Sequence, residues 1–291
     1  MPSTIRTIHQ QACTGGTIIC RCVAALPTVA ILSEISPLGG LHSPAKYFDP
    51  FDVLVKFIKS YPSARPDQDT MCRLFGGQLL QAEELARQAG LSLVARDHSH
   101  SAYMREWELI GARSAFLDAC SPFQQIHSLI TVRYPFSSYM SVKRNKWEGV
   151  IRDYKDYCCR YMRFLDHHEN IKIFKYENFC IDPHSVLRDI CYELDLRYSP
   201  SFDPAWKVQT ITGNSGRMKD ATQIQSLAFP HWSAENAEAL LRNTPHKELC
   251  ERLDYASDLT DYAISSNELA VDIADQEADA LKYLTQILRA R

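Results

Sequence analysis

The 291-residue sequence has neither a strong net charge nor a long hydrophobic run. Its formal net charge is -3 at pH 7, so no overall field favours nucleic acid or an anionic membrane surface. The most apolar early stretch, residues 18–32, contains Arg21 and Pro27 and is shorter than the roughly 20 residues of a membrane-spanning helix. We therefore expect no nucleic-acid partner and no membrane insertion.

The sequence also lacks an opening signal segment and a metal-binding motif. A strand-like segment at residues 4–9 begins almost at once, so we expect no signal peptide and a cytoplasmic protein. Ten cysteines are scattered along the chain, which favours reduced thiols. The pairs Cys20/Cys22 and Cys158/Cys159 lack the spacing of a zinc site. The sequence therefore predicts no metal.

Short apolar runs alternate with helical stretches, a pattern typical of a parallel sheet covered by helices on both faces. The predicted strands are 4–9, 28–32, 91–95, 126–132 and 171–176, and the predicted helices include 49–58, 82–89, 147–168 and 183–194. The predicted fold class is α/β, with three layers around a central parallel sheet, similar in plan to the P-loop nucleoside triphosphatases.

A polar, acidic stretch at residues 257–266 is the one plausible domain boundary in the sequence. A capping-box pattern then precedes apolar residues at helical spacing. We predict a main domain at residues 1–256 and a helical C-terminal extension at residues 257–291, whose helix suits homodimerisation.

A loop of small residues follows the first predicted strand. It reads Gln-Ala-Cys-Thr-Gly-Gly-Thr from Gln11 to Thr17, and apolar residues follow it. Backbone N–H groups in such a loop, together with the positive end of the next helix, can hold a phosphate. A plain tight turn is the alternative, but nucleotide loops belong after the first strand of such a sheet. Gly16 stands where P-loop triphosphatases carry lysine, which disfavours triphosphate binding.

Arg133 and Ser141 form a second pattern after the fourth predicted strand. An arginine at the carboxyl end of a parallel strand faces the ligand crevice, and a serine eight residues later can return toward it from the next helix. Together they can hold a phosphate, although either one alone is more typical of a surface.

These motifs, in this order, resemble the sulfotransferase superfamily over roughly residues 4–255. The resemblance implies that 3′-phosphoadenosine 5′-phosphosulfate (PAPS) is the cofactor. The implied binding residues are Cys13, Thr14, Gly15, Gly16 and Thr17 in the loop, Arg133 and Ser141 at the 3′-phosphate, Tyr176 beside the adenine, and Arg217 in a later glycine-bearing loop. Cys13 departs from the family, which often carries lysine or arginine there to neutralise the leaving oxygen.

Two residues are candidates for the general base. The triplet ending in His98 looks like the basic-x-His triplet of cytosolic sulfotransferases, and histidine has an unperturbed pKa of about 6.5. Glu34 follows the second predicted strand, in the region where some carbohydrate sulfotransferases use a glutamate. The ordinary alternative for each is a solvated loop side chain.

The resemblance implies sulfuryl transfer from PAPS to a hydroxyl of a sugar, lipid or small-molecule acceptor by in-line displacement. Two other functions remain open. A P-loop nucleotide or small-molecule kinase would need a loop lysine and a strand-end aspartate, for which Asp97 is the candidate. A catalytically silent nucleotide-binding scaffold is favoured by Cys13.

Overall fold

The computed structural model describes residues 2–37, 66–209, 211, 224 and 242–257. Several predicted features lie outside the described residues. They are the helix at residues 49–58, the late glycine-bearing loop with Arg217, and the helical extension beyond Ser257.

Five parallel strands form the sheet, in the order β2-β3-β1-β4-β5. They are β1 (Thr4–Gln10), β2 (Val29–Ile35), β3 (Ser92–Asp97), β4 (Gln125–Val132) and β5 (Lys172–Lys175). Each overlaps a strand predicted from the sequence, and the predicted α/β fold is confirmed. In the sheet, β2 and β3 lie on one side of β1, and β4 and β5 lie on the other. The order therefore reverses at β1, and the carboxyl ends of the strands there form the crevice where such sheets bind ligands.

The described helices are α1 (Gly16–Ala24), α2 (Gln68–Gln88), α3 (His100–Tyr103), α4 (Ala115–Ala119), α5 (Pro135–Arg144), α6 (Tyr154–Asp166), α7 (Tyr176–Ile181), α8 (Pro183–Glu193), α9 (Phe202–Ala205) and α10 (Thr244–Arg252). Among the helices of the described ranges, none combines the length and the apolar character needed to cross a bilayer.

Two helices differ in extent from the sequence prediction. The predicted helix 82–89 is only the last part of α2, which begins at Gln68 because the Asp67 side chain caps its first turn through the Thr70 N–H. The predicted helix 147–168 is too long at its start, since Gly149 has a φ of 57° and Asp153 caps α6 at Tyr154.

Alternate residues of the strands face two separate cores, as the period of a strand requires. Ile8, Val94 and Leu129 pack in one core with residues of α1 and α8. On the opposite face, Ile5 packs against α2 and Ile130 packs against α6. Helices therefore cover both faces of the sheet, and polar residues at the strand ends line the crevice.

Candidate functional site

A cavity of about 440 Å³ lies at the carboxyl ends of the strands. It brings together predicted site residues from all of the described motifs. Those that line it are Cys13, Thr14, Gly15, Gly16, Thr17, Glu34, His98, Arg133, Ser141 and Tyr176. Of the predicted set, only Arg217 is outside the residues that the structure describes.

The small-residue loop has a shape that depends on Gly15. This residue is the N-cap of α1 and has a φ of 82°, a left-handed conformation that glycine adopts without strain. A Cβ atom at Gly15 would lie 2.0 Å from Cδ2 of Tyr176, so the tyrosine ring packs directly on the loop backbone. The Thr14 hydroxyl donates a hydrogen bond of 2.9 Å to the carbonyl oxygen of Gln11. This bond closes a turn from Gln11 to Thr14 just before α1.

Polar groups in this loop are arranged to receive an anion. The first N–H groups of an α-helix have no partner within the helix, and those of α1 begin at the cavity wall. Gln11 also lines the cavity, and its buried amide Oε1 and Nε2 atoms have no hydrogen-bond partner among the described residues. A buried amide without partners is costly, so Gln11 fits a bound polar ligand. The sequence prediction did not include it.

Arg133 and Ser141 meet as their spacing predicts. Arg133 directly follows β4, and its Nη1 atom donates to Oγ of Ser141, in α5, at 3.3 Å. The Arg133 guanidinium also lies 5.3 Å from the centre of the Tyr176 ring. Both the arginine and the serine are buried. The cavity therefore contains a fixed cation with its donors held in place.

Arg96 is a second buried cation in the cavity wall, and it was not among the predicted binding residues. It is 2% exposed. Its Nη1 atom donates to the Ser33 hydroxyl and its Nη2 atom to the Thr17 hydroxyl, each at 2.9 Å. With the Gln10 amide oriented so that its oxygen faces Arg96, that oxygen accepts a further bond of 2.8 Å from Nε. The only sequence signal for Arg96 was its place as the first residue of the triplet that ends in His98.

Glu34 lies within β2, whereas the sequence prediction put it after the second strand. Its φ is 57°, and the pairing of β2 with β3 is irregular between Leu32 and Ile35. This irregularity turns the side chain toward the cavity, where Oε1 lies 3.4 Å from Nη2 of Arg96. The carboxylate thus forms an ion pair with a buried guanidinium.

His98 follows the last residue of β3 and lines the cavity. Its backbone N–H donates to the carbonyl oxygen of Ile35 at 3.0 Å, which fixes the main chain at the strand ends. His100 lies beside it, with the ring centres 6.0 Å apart. Burial and, to a smaller extent, the charge of the nearby His98 lower the pKa of His100 to about 4. The His100 imidazole is therefore held in its neutral form.

Asp97 lies between the cavity and the interior of the protein. It is 5% exposed, and burial raises its pKa to about 7. Its Oδ2 atom lies 3.2 Å from Nδ1 of His9. Burial lowers the pKa of His9 to about 3, so this contact is a hydrogen bond to a neutral imidazole and not an ion pair. The kinase alternative needs an aspartate that holds a cation at the ligand, whereas Oδ2 of Asp97 is directed to His9.

Cys13 has no charge to offer the loop. Burial raises the pKa of its thiol to about 11, although the Asn145 hydrogen bond and the charges of Arg133 and Arg144 oppose this. Asn145 Nδ2 donates to the sulfur at 3.6 Å. The φ of Cys13 is 63°, so the residue is held in the left-handed region. Any positive charge at the loop must come from elsewhere in the fold.

No protein-family model matches the sequence. A search of curated proteins also finds no match. Among solved structures, the fold is similar to the sulfotransferase domain of the olefin synthase from Synechococcus PCC 7002, with a TM-score of 0.54 and 15% sequence identity over 88% of this chain and 96% of that chain. It is also similar to the sulfotransferase domain of the curacin biosynthetic pathway, with a TM-score of 0.51 and 14% identity over 88% of this chain and 99% of that chain. The protein has the fold of these sulfotransferase domains.

Proposed function

We propose that the protein is a sulfotransferase that uses PAPS as its donor and a hydroxyl group as its acceptor. The observation that carries the proposal is the cavity itself, in which a small-residue loop at a helix N-terminus faces two buried guanidinium groups. One belongs to Arg96 and the other to Arg133. A donor with phosphate groups at both ends of its ribose needs two separate anion sites, and the cavity offers two. The fold shared with two sulfotransferase domains supports the same reaction.

The cavity residues fit the donor in a specific order. The loop, the first turn of α1 and the Gln11 amide suit the 5′-phosphosulfate. Arg133, with Ser141, suits the 3′-phosphate, because a guanidinium and a hydroxyl both donate to phosphate oxygens. Tyr176 packs between the loop and Arg133 and suits the adenine. Arg217 at the 3′-phosphate stays a prediction.

When bound, PAPS supplies an activated sulfuryl group and leaves as the nucleotide 3′,5′-bisphosphate. The protein must then stabilise negative charge that grows on the 5′-phosphate. Arg96 suits this task, because its guanidinium is tied to Thr17 at the end of the loop. Arg96 thereby takes the role that the neutral thiol of Cys13 cannot fill.

His98 suits the removal of the acceptor proton. It lies at the cavity wall after β3, and histidine accepts protons near neutral pH. Glu34 is the poorer candidate, since its carboxylate is paired with Arg96. We assign Glu34 to the positioning of Arg96. The acceptor is proposed to be a hydroxyl of a sugar, a lipid or a small molecule.

The test is calorimetric binding of the nucleotide 3′,5′-bisphosphate, followed by transfer of labelled sulfuryl from PAPS to a mixed panel of hydroxyl compounds. We expect binding by the purified chain and loss of binding in Arg133→Ala. The matched control is Arg87→Ala, which removes an arginine of a surface ion pair on α2. A folded protein that does not bind the nucleotide would overturn the proposal. Binding with no transfer to any acceptor would favour the silent scaffold.

Arg96 and His98 are tested separately once transfer is observed. Loss of one preorganised donor to a developing anion costs on the order of 10²-fold in kcat, and we expect this for Arg96→Lys with little change in nucleotide affinity. His98→Ala should lower kcat at neutral pH by a factor of about 10² or more. Wild-type kcat in Arg96→Lys would contradict the role given to the guanidinium.

A further inference from the structure

A second cluster of ionisable side chains lies on the face of the sheet opposite α1. His9 comes from β1, Asp97 from the end of β3, and His168 from the segment just after α6. Their exposed fractions are 0%, 5% and 2%. One potential ligand atom from each lies within 4.8 Å of the others. Three distant parts of the chain therefore bring two imidazoles and a carboxylate together with little exposure to water.

Each imidazole in this cluster has one nitrogen tied to an oxygen outside it. Nδ1 of His168 lies 2.7 Å from the carbonyl oxygen of Phe164, which can only accept, so Nδ1 carries the hydrogen. Nε2 of the same ring therefore has a lone pair, and this buried atom has no hydrogen-bond partner among the described residues. On the other ring, Nε2 of His9 lies 2.9 Å from the Thr7 hydroxyl, and Nδ1 faces Asp97. Metal-binding histidines are oriented in this way by their second nitrogen.

We propose that His9, Asp97 and His168 form a binding site for a divalent metal ion of the zinc class. Two neutral imidazoles and one carboxylate are ligands that Zn²⁺ accepts at about 2.0–2.2 Å. The set has too few oxygen atoms for Ca²⁺ or Mg²⁺, and it contains no thiolate that would select Cu⁺. The ion would satisfy the lone pair of His168, which otherwise is buried at a cost.

The fourth ligand of such an ion can be a water molecule. A small cavity of about 30 Å³ adjoins the cluster and is lined by Asp97 together with Tyr103, Phe116 and His167. This volume is enough for at least one water molecule. Three protein ligands with water in the fourth position are a common arrangement for zinc. The ion would connect β1, β3 and the end of α6, and so hold the strand end that precedes His98.

The first experiment uses the purified full chain. We expect elemental analysis to find zinc, and we expect the chelator-treated protein to bind a single equivalent of Zn²⁺ in calorimetry. His168→Ala should lose this equivalent. The matched control is His246→Ala, which removes a histidine that is 0% exposed and is bonded to Tyr154, away from the cluster. Equal zinc binding by wild type and His168→Ala would overturn the proposal.

A second variant and a spectroscopic probe keep the test independent of folding defects. Thr7→Val removes the outer hydrogen bond to His9 and a bond to the Ser128 hydroxyl, and loss of the bond to His9 should weaken zinc binding roughly 10- to 100-fold. A purely structural hydrogen bond would leave zinc affinity unchanged.

Co²⁺ in place of Zn²⁺ should show ligand-field bands without thiolate charge-transfer absorption. Thiolate absorption, or no metal uptake by the folded wild type, would refute the site.

Discussion

At the scale of the residue, Arg96 connects three parts of the cavity wall. It comes from β3, donates to Thr17 at the start of α1, and donates to Ser33 in β2. The neighbouring carboxylate of Glu34 balances its charge. A buried guanidinium is tolerated only when its N–H groups and its charge find partners, as they do here. The same contacts that stabilise Arg96 therefore fix a positive charge beside the loop.

We predict that Arg96→Leu lowers the free energy of unfolding by about 3 kcal/mol, because it leaves the Glu34 carboxylate and two hydroxyl groups without their donor. Urea denaturation measures this change. The control is Arg87→Leu, which breaks an exposed pair with Glu84 on α2 and should cost less than about 1 kcal/mol. An equal loss of unfolding free energy in the two variants would mean that the Arg96 contacts stabilise the protein no more than an exposed ion pair does.

The Cys13 thiol offers a prediction about pH. Its pKa is raised to about 11 by burial, while a cysteine of the unfolded chain has a pKa near 8.5. Only the thiolate reacts with iodoacetamide. In the folded protein the labelling rate of Cys13 should still rise about tenfold per pH unit above pH 9, whereas in urea it should level off there. Peptide mass spectrometry follows this site among the other cysteines, and a plateau near pH 9 in the folded protein would contradict the buried thiol.

At the scale of the element, the strands and the start of α8 at Pro183 were predictable from sequence, whereas the starts of α2 and α6 were not. Buried strands such as β4 are apolar over their last residues, a local pattern that needs no tertiary information. The first half of α2 has no such pattern, because its buried positions include Cys72 and Gly76, which carry little hydrophobic signal. The start of α6 depends on one cap and one glycine conformation. Side-chain caps and local backbone conformation, not periodicity, decided these bounds.

Two adjacent glycines in α2 should respond to alanine in opposite directions. A Cβ atom at Gly76 would lie 2.2 Å from the carbonyl oxygen of Ala119, at the contact of α2 with α4, while at Gly77 nothing lies within 4 Å. Gly77→Ala should stabilise the protein by about 0.5–1 kcal/mol through helix propensity. Gly76→Ala should destabilise it by about 1–3 kcal/mol through overpacking. Thermal or urea unfolding measures both, and the same sign for both would show that the two helices do not pack closely here.

At the scale of the whole molecule, the candidate site is an assembly of strand ends that the sequence shows only as separate motifs. The loop, Arg133 and Ser141 were predictable because each has a local pattern. Arg96 and Gln11 were missed because burial decides their importance, and burial of a polar side chain leaves no periodic signal. The cluster of His9, Asp97 and His168 was also missed, and the sequence prediction of no metal stays a prediction. Residues so far apart in sequence meet only through the order of the strands.

Glu177 ties the end of the described chain to the side of the cavity that carries Arg133. Its Oε1 atom accepts the backbone N–H of Tyr134 at 2.9 Å, directly after Arg133, and its Oε2 atom accepts the hydroxyl of Tyr255 at 2.7 Å. Tyr255 follows α10, which packs against α6. One carboxylate thus connects three segments that are remote in sequence, and the position of Arg133 depends on it.

We predict that Glu177→Ala lowers the free energy of unfolding by about 2 kcal/mol, because it removes two hydrogen bonds to a charged acceptor. Amide hydrogen exchange should accelerate at residues 244–257 and at Tyr134 while that of β1 stays slow, since the two lost bonds hold only those segments. The control is Glu193→Ala, which breaks a surface pair with Lys172 and should change neither quantity by much. Nucleotide affinity should fall in Glu177→Ala as well, because Arg133 loses the support of the neighbouring backbone. Unchanged exchange in α10 would mean that packing against α6 holds this helix without the carboxylate.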